Sequence, residues 1–208
     1  MSWLPSYHDM GLIGGILVPI CCATPCVLMS PVQFLQKPVS WLQAITRFRV
    51  TVTGGPDFAY DLCARTIGEA QKDGLDMRSW RLAFTGAEPI RARTIERFTA
   101  AFGPSGFKRE AFYPCYGLAE GTLMVTGSSP DQEPAVRRLN KQMLEQGWAI
   151  EVKGAGALSI GCGRPAEDQV VRIVDPGLLT PCPFGKVGEV WMKGPSVACG
   201  YWRKPEAS

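Results

Sequence analysis

The sequence predicts an α/β fold, in which a layered βα portion is followed by a small antiparallel β portion. Two segments, 49–70 and 82–102, each join a short β-rich run to a helical pattern through a glycine-containing turn. Polar and apolar residues then alternate in 169–174, and a loop rich in glycine and proline leads to another strand pattern at 187–192. We divide the chain into an α/β part, an intervening part and a β-rich part: 1–126, 127–160 and 161–208.

The composition is that of an ordinary globular protein and gives no support for a nucleic-acid partner. The chain has 208 residues, of which 46% are hydrophobic and 20% charged, which is enough to bury a sizeable core. Its 22 basic and 19 acidic residues leave a formal net charge of +3, and no basic run carries interleaved aromatic residues. We therefore expect no nucleic acid among its partners.

The eight cysteines do not indicate a disulfide scaffold. The chain is long for a disulfide-stapled fold, and no secretory signal is recognisable in it. A zinc site is disfavoured, because Cys22 and Cys26 have no second pair at zinc-finger spacing and His8 is the only histidine. We expect most of these thiols to be small buried groups in a protein of the reducing cytoplasm.

Residues 10–29 carry no charge, and the run is long enough to raise the question of a membrane span. Gly14, Gly15, Pro19 and Pro25 interrupt it, however, and no basic residue precedes it as in a signal peptide. We predict a buried helix that breaks into a loop, and no integral membrane span.

The first βα unit starts with the helical pattern of Trp41–Phe48, which the β-rich run 49–53 follows. Asp57 is the predicted N-cap of a second helix, from Phe58 to about Ala70. The turn between strand and helix contains Gly54 and Gly55, at the kind of position where open α/β sheets place ligand sites. The two glycines either let the backbone approach a substrate or only form a tight turn.

The second βα unit consists of the strand Leu82–Thr85 and a helix that begins at Pro89. Proline suits a first helical turn, because its missing N–H group would be unpaired there in any case. Glu88 lies beside the predicted helix N-terminus, where the helix dipole favours a negative charge. The apolar face of this helix comprises Ile95, Phe98 and Phe102.

The stretch Phe112–Glu120 is the most informative in the chain. We predict a buried strand that breaks at Pro114, passes through a tight turn at Gly117 and presents Tyr116 and Glu120 to a cleft. A tyrosine ring can stack on a purine base, and a lone carboxylate near phosphates suits Mg²⁺. The alternative is a simple strand end, with Tyr116 as a packing wedge and Glu120 solvated.

Several motifs, taken in order, resemble those of the adenylate-forming enzymes, which include acyl-CoA synthetases, luciferases and peptide-synthetase adenylation domains. The shared order and spacing involve 83–89, 112–120, 185–191 and 200–206. Within that superfamily, Leu4–Gly14 and Thr53–Tyr60 resemble motifs of the fatty acyl-AMP ligases. The resemblance implies the large N-terminal domain of such an enzyme, and it covers nearly the whole chain.

The intervening part, 127–160, lengthens the gap between Glu120 and the Gly-x-Pro sequence at 163–165. This extra length resembles the insertion that sets fatty acyl-AMP ligases apart and, in that family, disfavours CoA as the acyl acceptor. The alternative is an ordinary variable surface loop. Within it we predict a short amphipathic helix at Val136–Gln146.

The resemblance assigns roles to individual residues. It implies that adenine lies between the backbone of Gly86, Ala87 and Glu88 on one face and the ring of Tyr116 on the other. Gly117 and Leu118 are implied to shape the turn beside them. Glu120 is implied as a catalytic carboxylate that binds Mg²⁺, and His8 as a second catalytic residue that borders the acyl or phosphate site. The implied acyl tunnel is lined by Gly54, Gly55, Phe58 and Tyr60.

The implied activity of the parent enzyme is activation of a fatty acid with ATP to an acyl-adenylate, followed by transfer to an acyl carrier protein or a polyketide or peptide synthase. We find no Ser/Thr/Gly-rich phosphate loop with lysine in the sequence. We therefore expect an internal fragment of an adenylation domain that is inactive by itself. Two alternatives are a long-chain acyl-CoA synthetase and a non-catalytic adenylation-like domain used for binding or scaffolding.

Overall fold

The computed structural model describes residues 1–207; Ser208, the last residue of the predicted β-rich part, lies outside the described residues. The helices are α1 (π-helical over Met10–Leu17 and α-helical over Val18–Cys21), α2 (Pro31–Gln36), α3 (Val39–Phe48), α4 (Asp57–Thr66), α5 (Glu69–Lys72), α6 (Ala92–Phe102) and α7 (Lys141–Glu145). The strands are β1 (Val52–Gly54), β2 (Leu82–Thr85), β3 (Phe112–Leu118), β4 (Leu123–Gly127), β5 (Val136–Leu139), β6 (Ala157–Ile160), β7 (Arg164–Pro165), β8 (Val170–Asp175), β9 (Thr180–Pro181) and β10 (Glu189–Lys193).

The strands form three sheets, and their arrangement confirms the predicted α/β fold with a small antiparallel portion. The main sheet has the order β1-β2-β3-β4-β7, with parallel pairing through β3 and antiparallel pairing beyond it. A second sheet, β10-β8-β9, is antiparallel, as the alternation in 169–174 and 187–192 predicts. Strands β5 and β6 pair as a separate antiparallel ribbon within the intervening part, whose identity as a family-type insertion stays a prediction.

An aromatic core supports the parallel strands on the side that faces α3, α4 and α6. Tyr60 lies at its centre, with ring centroids 5.5 Å from Trp41, 5.1 Å from Phe98 and 5.0 Å from Phe112. Offset and edge-to-face aromatic pairs of this kind are stabilising beyond the area they bury. The predicted apolar face of α6 is confirmed, because all three of its members are buried: Ile95, Phe98 and Phe102.

The predicted strand break at Pro114 is wrong, as is the tight turn at Gly117. Strand β3 runs without interruption through both residues, and the chain turns only at the 3-10 segment Ala119–Gly121. Proline is tolerated because the pairing changes partner there: the last parallel pair with β2 is Thr85 with Pro114, and pairing with β4 starts at Cys115. A register shift between Tyr116 and Gly117 replaces the predicted turn.

Two helix predictions need correction at their boundaries. The predicted helix 58–70 is two helices, α4 and α5, and the predicted helix Val136–Gln146 begins as strand β5. Strand formation wins over helical periodicity at 136–139, because these four residues pair in register with β6. The helix that follows is capped by Asn140, whose side-chain oxygen accepts from the backbone N–H of Met143.

Residues 10–29 do form a helix that breaks into a loop, but the prediction that it is buried is wrong. In helix α1 the buried residues are Met10, Gly11 and Gly15, whereas Leu17, Val18 and Ile20 are exposed. Within residues 1–207, no helix has both the length and the apolar character needed to cross a membrane.

The eight cysteines are free thiols. The expectation that most are buried is wrong, because only Cys63 is fully buried, whereas Cys21, Cys22 and Cys199 are exposed. The exposed thiols lie in loops or at a helix end outside the aromatic core.

Candidate functional site

Two cavities meet at the carboxyl ends of the parallel strands and share one wall. The shared residues are Ala87, Cys115, Tyr116 and Gly117. One cavity, of about 1080 Å³, lies between this wall and strand β6, and we call it the ribbon cavity. The other, of about 720 Å³, lies between this wall and helix α1, and we call it the helix cavity. The two cavities therefore adjoin each other along these four residues.

The loop that follows β2, residues 86–91, forms one side of the shared wall. It packs directly on β3, because a Cβ atom added to Gly86 would lie 2.7 Å from the carbonyl oxygen of Cys115. The next residue, Ala87, has a φ of 65°, in the left-handed region that non-glycine residues occupy at a cost. The surrounding contacts must therefore hold this loop in place.

Glu88 has a different partner from the one the sequence predicts. Its Oε1 accepts a 2.7 Å hydrogen bond from the backbone N–H of Phe58, at the start of α4. Helix α6 begins at Ala92 and not at Pro89, so Glu88 caps the other helix. The predicted N-cap role of Asp57 for α4 is wrong in the same sense, because its carboxylate bonds to the start of α6.

Tyr116 forms the other side of the shared wall. It lies at the register shift between β3 and β4, and its side chain is 38% exposed. Gly117 is required beside it, since any Cβ there would overlap the carbonyl oxygen of Leu123. The structure thus brings together the two predicted purine-binding elements, Ala87 and Tyr116, while Leu118 lines the helix cavity.

Glu120 lies at the edge of the site, in the 3-10 turn Ala119–Gly121, which we call the Glu120 turn. Its neighbour Ala119 lines the helix cavity, but Glu120 lines neither cavity. Its Oε1 accepts a 2.5 Å hydrogen bond from the hydroxyl of Tyr201, and this bond lowers the pKa of the Glu120 carboxyl and raises the pKa of the Tyr201 hydroxyl.

The chain near Tyr201 also contacts the backbone of the Glu120 turn and the side chain of the residue that follows it. The N–H of Ala198 donates to the carbonyl oxygen of Glu120 at 2.8 Å. The hydroxyl of Thr122 donates to the carbonyl oxygen of Ser196 at 2.6 Å. The predicted metal-binding acid is therefore held by a segment some eighty residues later in the chain, which no local sequence pattern indicated.

The carboxylate of Glu120 fits Mg²⁺ carried by nucleotide phosphates better than it fits a resident metal centre. Mg²⁺ is commonly held by one or two carboxylates together with substrate phosphates and water. In the part of the chain that the structure describes, no cluster of three or more His, Cys, Asp or Glu side chains could hold a metal ion. Oε1 of Glu120 accepts from Tyr201, and a hydrogen bond from the Glu120 backbone also lowers the pKa of this carboxyl.

His8 lines the helix cavity with Tyr7 and Asp9, at the start of α1. Its Nδ1 lies 2.6 Å from Oδ1 of Asp9, and its side chain is about half exposed. The backbone N–H of Met10 donates to the same Asp9 oxygen at 2.7 Å, which fixes the carboxylate at the helix start. His8 is therefore at a cavity wall, as the sequence predicts, while its catalytic role stays a prediction.

The four residues predicted to line an acyl tunnel lie outside the two cavities. Tyr60 is fully buried in the aromatic core, where its hydroxyl donates to the carbonyl oxygen of Phe84 at 2.8 Å. Phe58 is 41% exposed and faces Trp3, and the backbone N–H of Gly55 also donates to Phe84. Neither these three nor Gly54 line either cavity.

The apolar lining of the helix cavity comes instead from strand residues that the sequence analysis did not single out: Val52, Leu82, Phe84, Tyr113, Leu123 and Met124. The composition of β2 could have indicated two of them, because Leu82, Ala83 and Phe84 are apolar and only Thr85 is polar. A strand with apolar residues on both faces packs against other groups on both faces. Ala83 faces the core, and the two neighbours on the opposite face line the cavity.

The model of the AMP-binding enzyme family matches residues 1–202 of this chain. Among curated proteins, a medium-chain-fatty-acid–[acyl-carrier-protein] ligase, TtuA, of Teredinibacter turnerae is 45% identical over all of this chain and 33% of its own length. A putative fatty-acid–CoA ligase, fadD25, of Mycobacterium tuberculosis is 37% identical over all of this chain and 36% of its own length.

Among solved structures, the fatty acyl-adenylate ligase of L. pneumophila, in complex with acyl adenylate and pyrophosphate, is 48% identical and superposes with a TM-score of 0.95. The match covers 99% of this chain and 36% of that one. The chain thus spans about a third of the length of the proteins that it matches.

Proposed function

This chain belongs to the AMP-binding enzyme family, and from that premise we propose that it forms about a third of a ligase that activates a fatty acid with ATP. The observation that carries the proposal is the wall shared by the two cavities, where Ala87 and Tyr116 stand next to both. An acyl-adenylate has an apolar chain and a purine nucleotide joined through one phosphate, so it needs two adjoining spaces of different character.

The purine is assigned to the space between the 86–91 loop and the Tyr116 ring. A backbone segment can approach one face of a base closely, and an aromatic ring can stack on the other. Gly86, Ala87 and Glu88 supply the segment, while Gly117 and Leu118 continue the strand beside Tyr116. The ribbon cavity also contains Arg91, Arg93 and Lys141, whose positive charges suit a nucleotide.

The acyl chain is assigned to the helix cavity. The strand residues Leu82, Phe84 and Leu123 supply apolar surface, and His8 stands at the same wall. Burial of methylene groups against such surface stabilises a bound chain by about 0.8 kcal/mol per group. The helix cavity replaces the tunnel that the sequence placed beside Gly54, Gly55, Phe58 and Tyr60.

The proposed reaction joins the two ligands where the cavities meet. A carboxylate oxygen of the fatty acid attacks the α-phosphorus of ATP, the bond to the bridging oxygen breaks, and pyrophosphate leaves with its electron pair. Glu120 would hold Mg²⁺, which neutralises charge on the departing pyrophosphate. The residues of this chain contribute mainly by holding the reactants in position.

The acyl acceptor in the proposed second step is the phosphopantetheine thiol of a carrier protein. TtuA is named for that acceptor and supports this choice, as does the presence of the intervening part, 127–160. The name of fadD25 specifies CoA instead, so CoA is the second candidate. A non-catalytic adenylation-like domain is the third possibility, and it predicts no turnover at all.

The deciding experiment uses the full-length ligase that carries this chain. Fatty-acid-dependent exchange of pyrophosphate into ATP should be measured first, followed by transfer of a labelled acyl group to holo carrier protein or to CoA. We expect exchange, and transfer to the carrier protein in preference to CoA. Absence of exchange in the folded protein would contradict the proposal, and preferential thioester formation with CoA would replace the acceptor. The 208-residue chain alone should give no exchange, because its sequence contains no phosphate loop with lysine.

A further inference from the structure

We propose that Asp57, which neither cavity includes, is a positioning residue for the 86–91 loop and hence for the purine. This inference rests on the proposed function, because it assumes that the loop binds the nucleotide. Asp57 is 1% exposed, yet both of its carboxylate oxygens have partners beyond its own helix. A buried carboxylate with this many specific partners fixes the geometry of whatever it bonds.

The partners of Asp57 lie at the end of the 86–91 loop and in the first turn of α6. Oδ1 accepts from the backbone N–H of Arg91 at 3.0 Å. Oδ2 accepts from the hydroxyl of Thr94 at 2.9 Å and lies 3.5 Å from Nη1 of Arg91. The N–H groups of a first helical turn need such acceptors, and the helix dipole favours a negative charge there.

The reverse contact comes from Glu88, whose carboxylate accepts from the N–H of Phe58 at the start of α4. Helices α4 and α6 thus exchange caps. Asp57, at the start of α4, accepts from the start of α6, and Glu88, which precedes α6, accepts from the start of α4. The two bonds fix the loop at Glu88 and at Arg91, while the packing of Gly86 on β3 fixes its other end.

Three attachment points explain how Ala87 stays in the left-handed region, with a φ of 65°. Such a conformation persists only where the surrounding structure over-determines it. Loss of the Arg91 attachment would allow the peptide groups at 87 and 88 to relax, and the surface offered to a purine would shift. Asp57 therefore acts on the nucleotide through Arg91 and Thr94, without touching it.

Asp61 provides a matched control on the same helix. It lies one turn after Asp57, and its Oδ1 accepts from Nη1 of Arg97 on α6 at 2.5 Å. Its Oδ2 also lies 2.8 Å from Nε of Arg65. Asp61 therefore joins α4 to α6 as Asp57 does, but without any contact to the 86–91 loop. A purely structural role in helix packing predicts that neither substitution changes the KM for ATP.

The test compares Asp57→Asn, Asp61→Asn, Thr94→Val and Thr94→Ser in the full-length ligase. Pyrophosphate exchange gives the KM values for ATP and fatty acid, and thermal unfolding reports folding. Misplacement of a binding group by about an ångström can reduce rates up to about 100-fold. We expect Asp57→Asn and Thr94→Val to raise the KM for ATP about tenfold at unchanged fatty-acid KM. Thr94→Ser, which keeps the hydroxyl, should restore the wild-type value, and Asp61→Asn should leave it within about twofold.

An equal shift in the KM for ATP for Asp57→Asn and Asp61→Asn would overturn the inference, as would loss of stability without any change in that KM. If Asp57→Asn does not fold, Thr94→Val and Thr94→Ser provide the test. An unchanged KM for ATP in Thr94→Val would then overturn the inference. Failure of the proposed function looks different: Tyr116→Ala would then leave the KM for ATP unchanged, whatever the Asp57 and Thr94 variants do.

Discussion

The 86–91 loop and the Glu120 turn are both held by hydroxyl-to-carboxylate hydrogen bonds, but in opposite surroundings. Beside the loop, Thr94 donates to Asp57, and each of the two residues is 1% exposed. At the turn, Tyr201, which follows β10, donates to Glu120, and Tyr201 is 51% exposed. The same chemical contact therefore occurs once inside the protein and once in water.

The two contacts therefore differ in how strongly they hold the backbone beside them. A buried hydrogen bond to a charged group contributes about 1.5–3 kcal/mol, whereas exposed contacts compete with water and are screened by salt. The 86–91 loop is thus held by a contact that excludes water. The Glu120 turn is held by a contact that competes with water.

The largest expected effect is that of Phe98→Ala, which removes the aromatic support under the loop side. Phe98 is fully buried on α6, with ring centroids 4.7 Å from Phe102 and 4.9 Å from Phe107. Truncation of a buried Phe should lower the free energy of unfolding by about 3–5 kcal/mol. Trp191→Ala, in the second sheet, is the control: its ring is 44% exposed and should cost about 1 kcal/mol or less. Chemical denaturation measures both, and equal losses would remove the distinction between the two regions.

Cys115, in the wall shared by the cavities, tests the same distinction through its reactivity. Burial raises the pKa of its thiol from 9.0 to about 12, and its Sγ donates to the carbonyl oxygen of Thr85 at 3.4 Å. At pH 8 only about one such thiol in 10⁴ is ionised. Iodoacetamide should therefore label Cys21, Cys22 and Cys199 rapidly and Cys115 about a thousand times more slowly, as peptide mass spectrometry can determine.

The sign of the pH effect on stability follows from the same raised pKa. The folded protein favours the neutral Cys115 thiol, so this contribution is complete below pH 9.0 and declines as the pH rises towards about 12. Labelling of Cys115 at the rate of the exposed thiols would mean that the shared wall is open to water.

The smallest contrast compares the two hydroxyl donors directly. Thr94→Val and Tyr201→Phe each remove one hydroxyl that donates to a carboxylate. Thr94→Val should lower the free energy of unfolding by about 1–3 kcal/mol, because it leaves a buried acceptor without its partner. Tyr201→Phe should shift the denaturation midpoint much less, because water replaces its hydroxyl. A larger loss for Tyr201→Phe would reverse the comparison.

Much of the fold could be predicted from the sequence where one face of an element is apolar. The buried face of α6 follows directly from helical periodicity, whereas strand β2 follows from a short run of apolar residues. Pro114 does not end strand β3, because it lies where the strand changes its pairing partner from β2 to β4. The exchange of caps between Asp57 and Glu88 was not predictable either, since each acid has a plausible local helix to cap and only the tertiary structure decides the partner.

Part of the site was predicted from the order of motifs along the chain and not from periodicity. The motifs indicated Ala87 and Tyr116, and the structure brings these two residues to one wall. The residues predicted to line an acyl tunnel line neither cavity, and one of them, Tyr60, belongs to the aromatic core. The contact of Glu120 with Tyr201 joins distant parts of the chain, and no local pattern encodes it.

The central claim, that Ala87 and Tyr116 hold a purine between them, is tested most directly by the KM for ATP of two Tyr116 variants of the full-length ligase. Stacking of a base on an aromatic side chain contributes about 1–3 kcal/mol. Tyr116→Ala should therefore raise the KM for ATP about 5- to 150-fold at an unchanged KM for the fatty acid. Tyr116→Phe, which keeps the ring, should stay within about twofold of the wild type. A folded Tyr116→Ala variant with the wild-type KM for ATP would contradict the account.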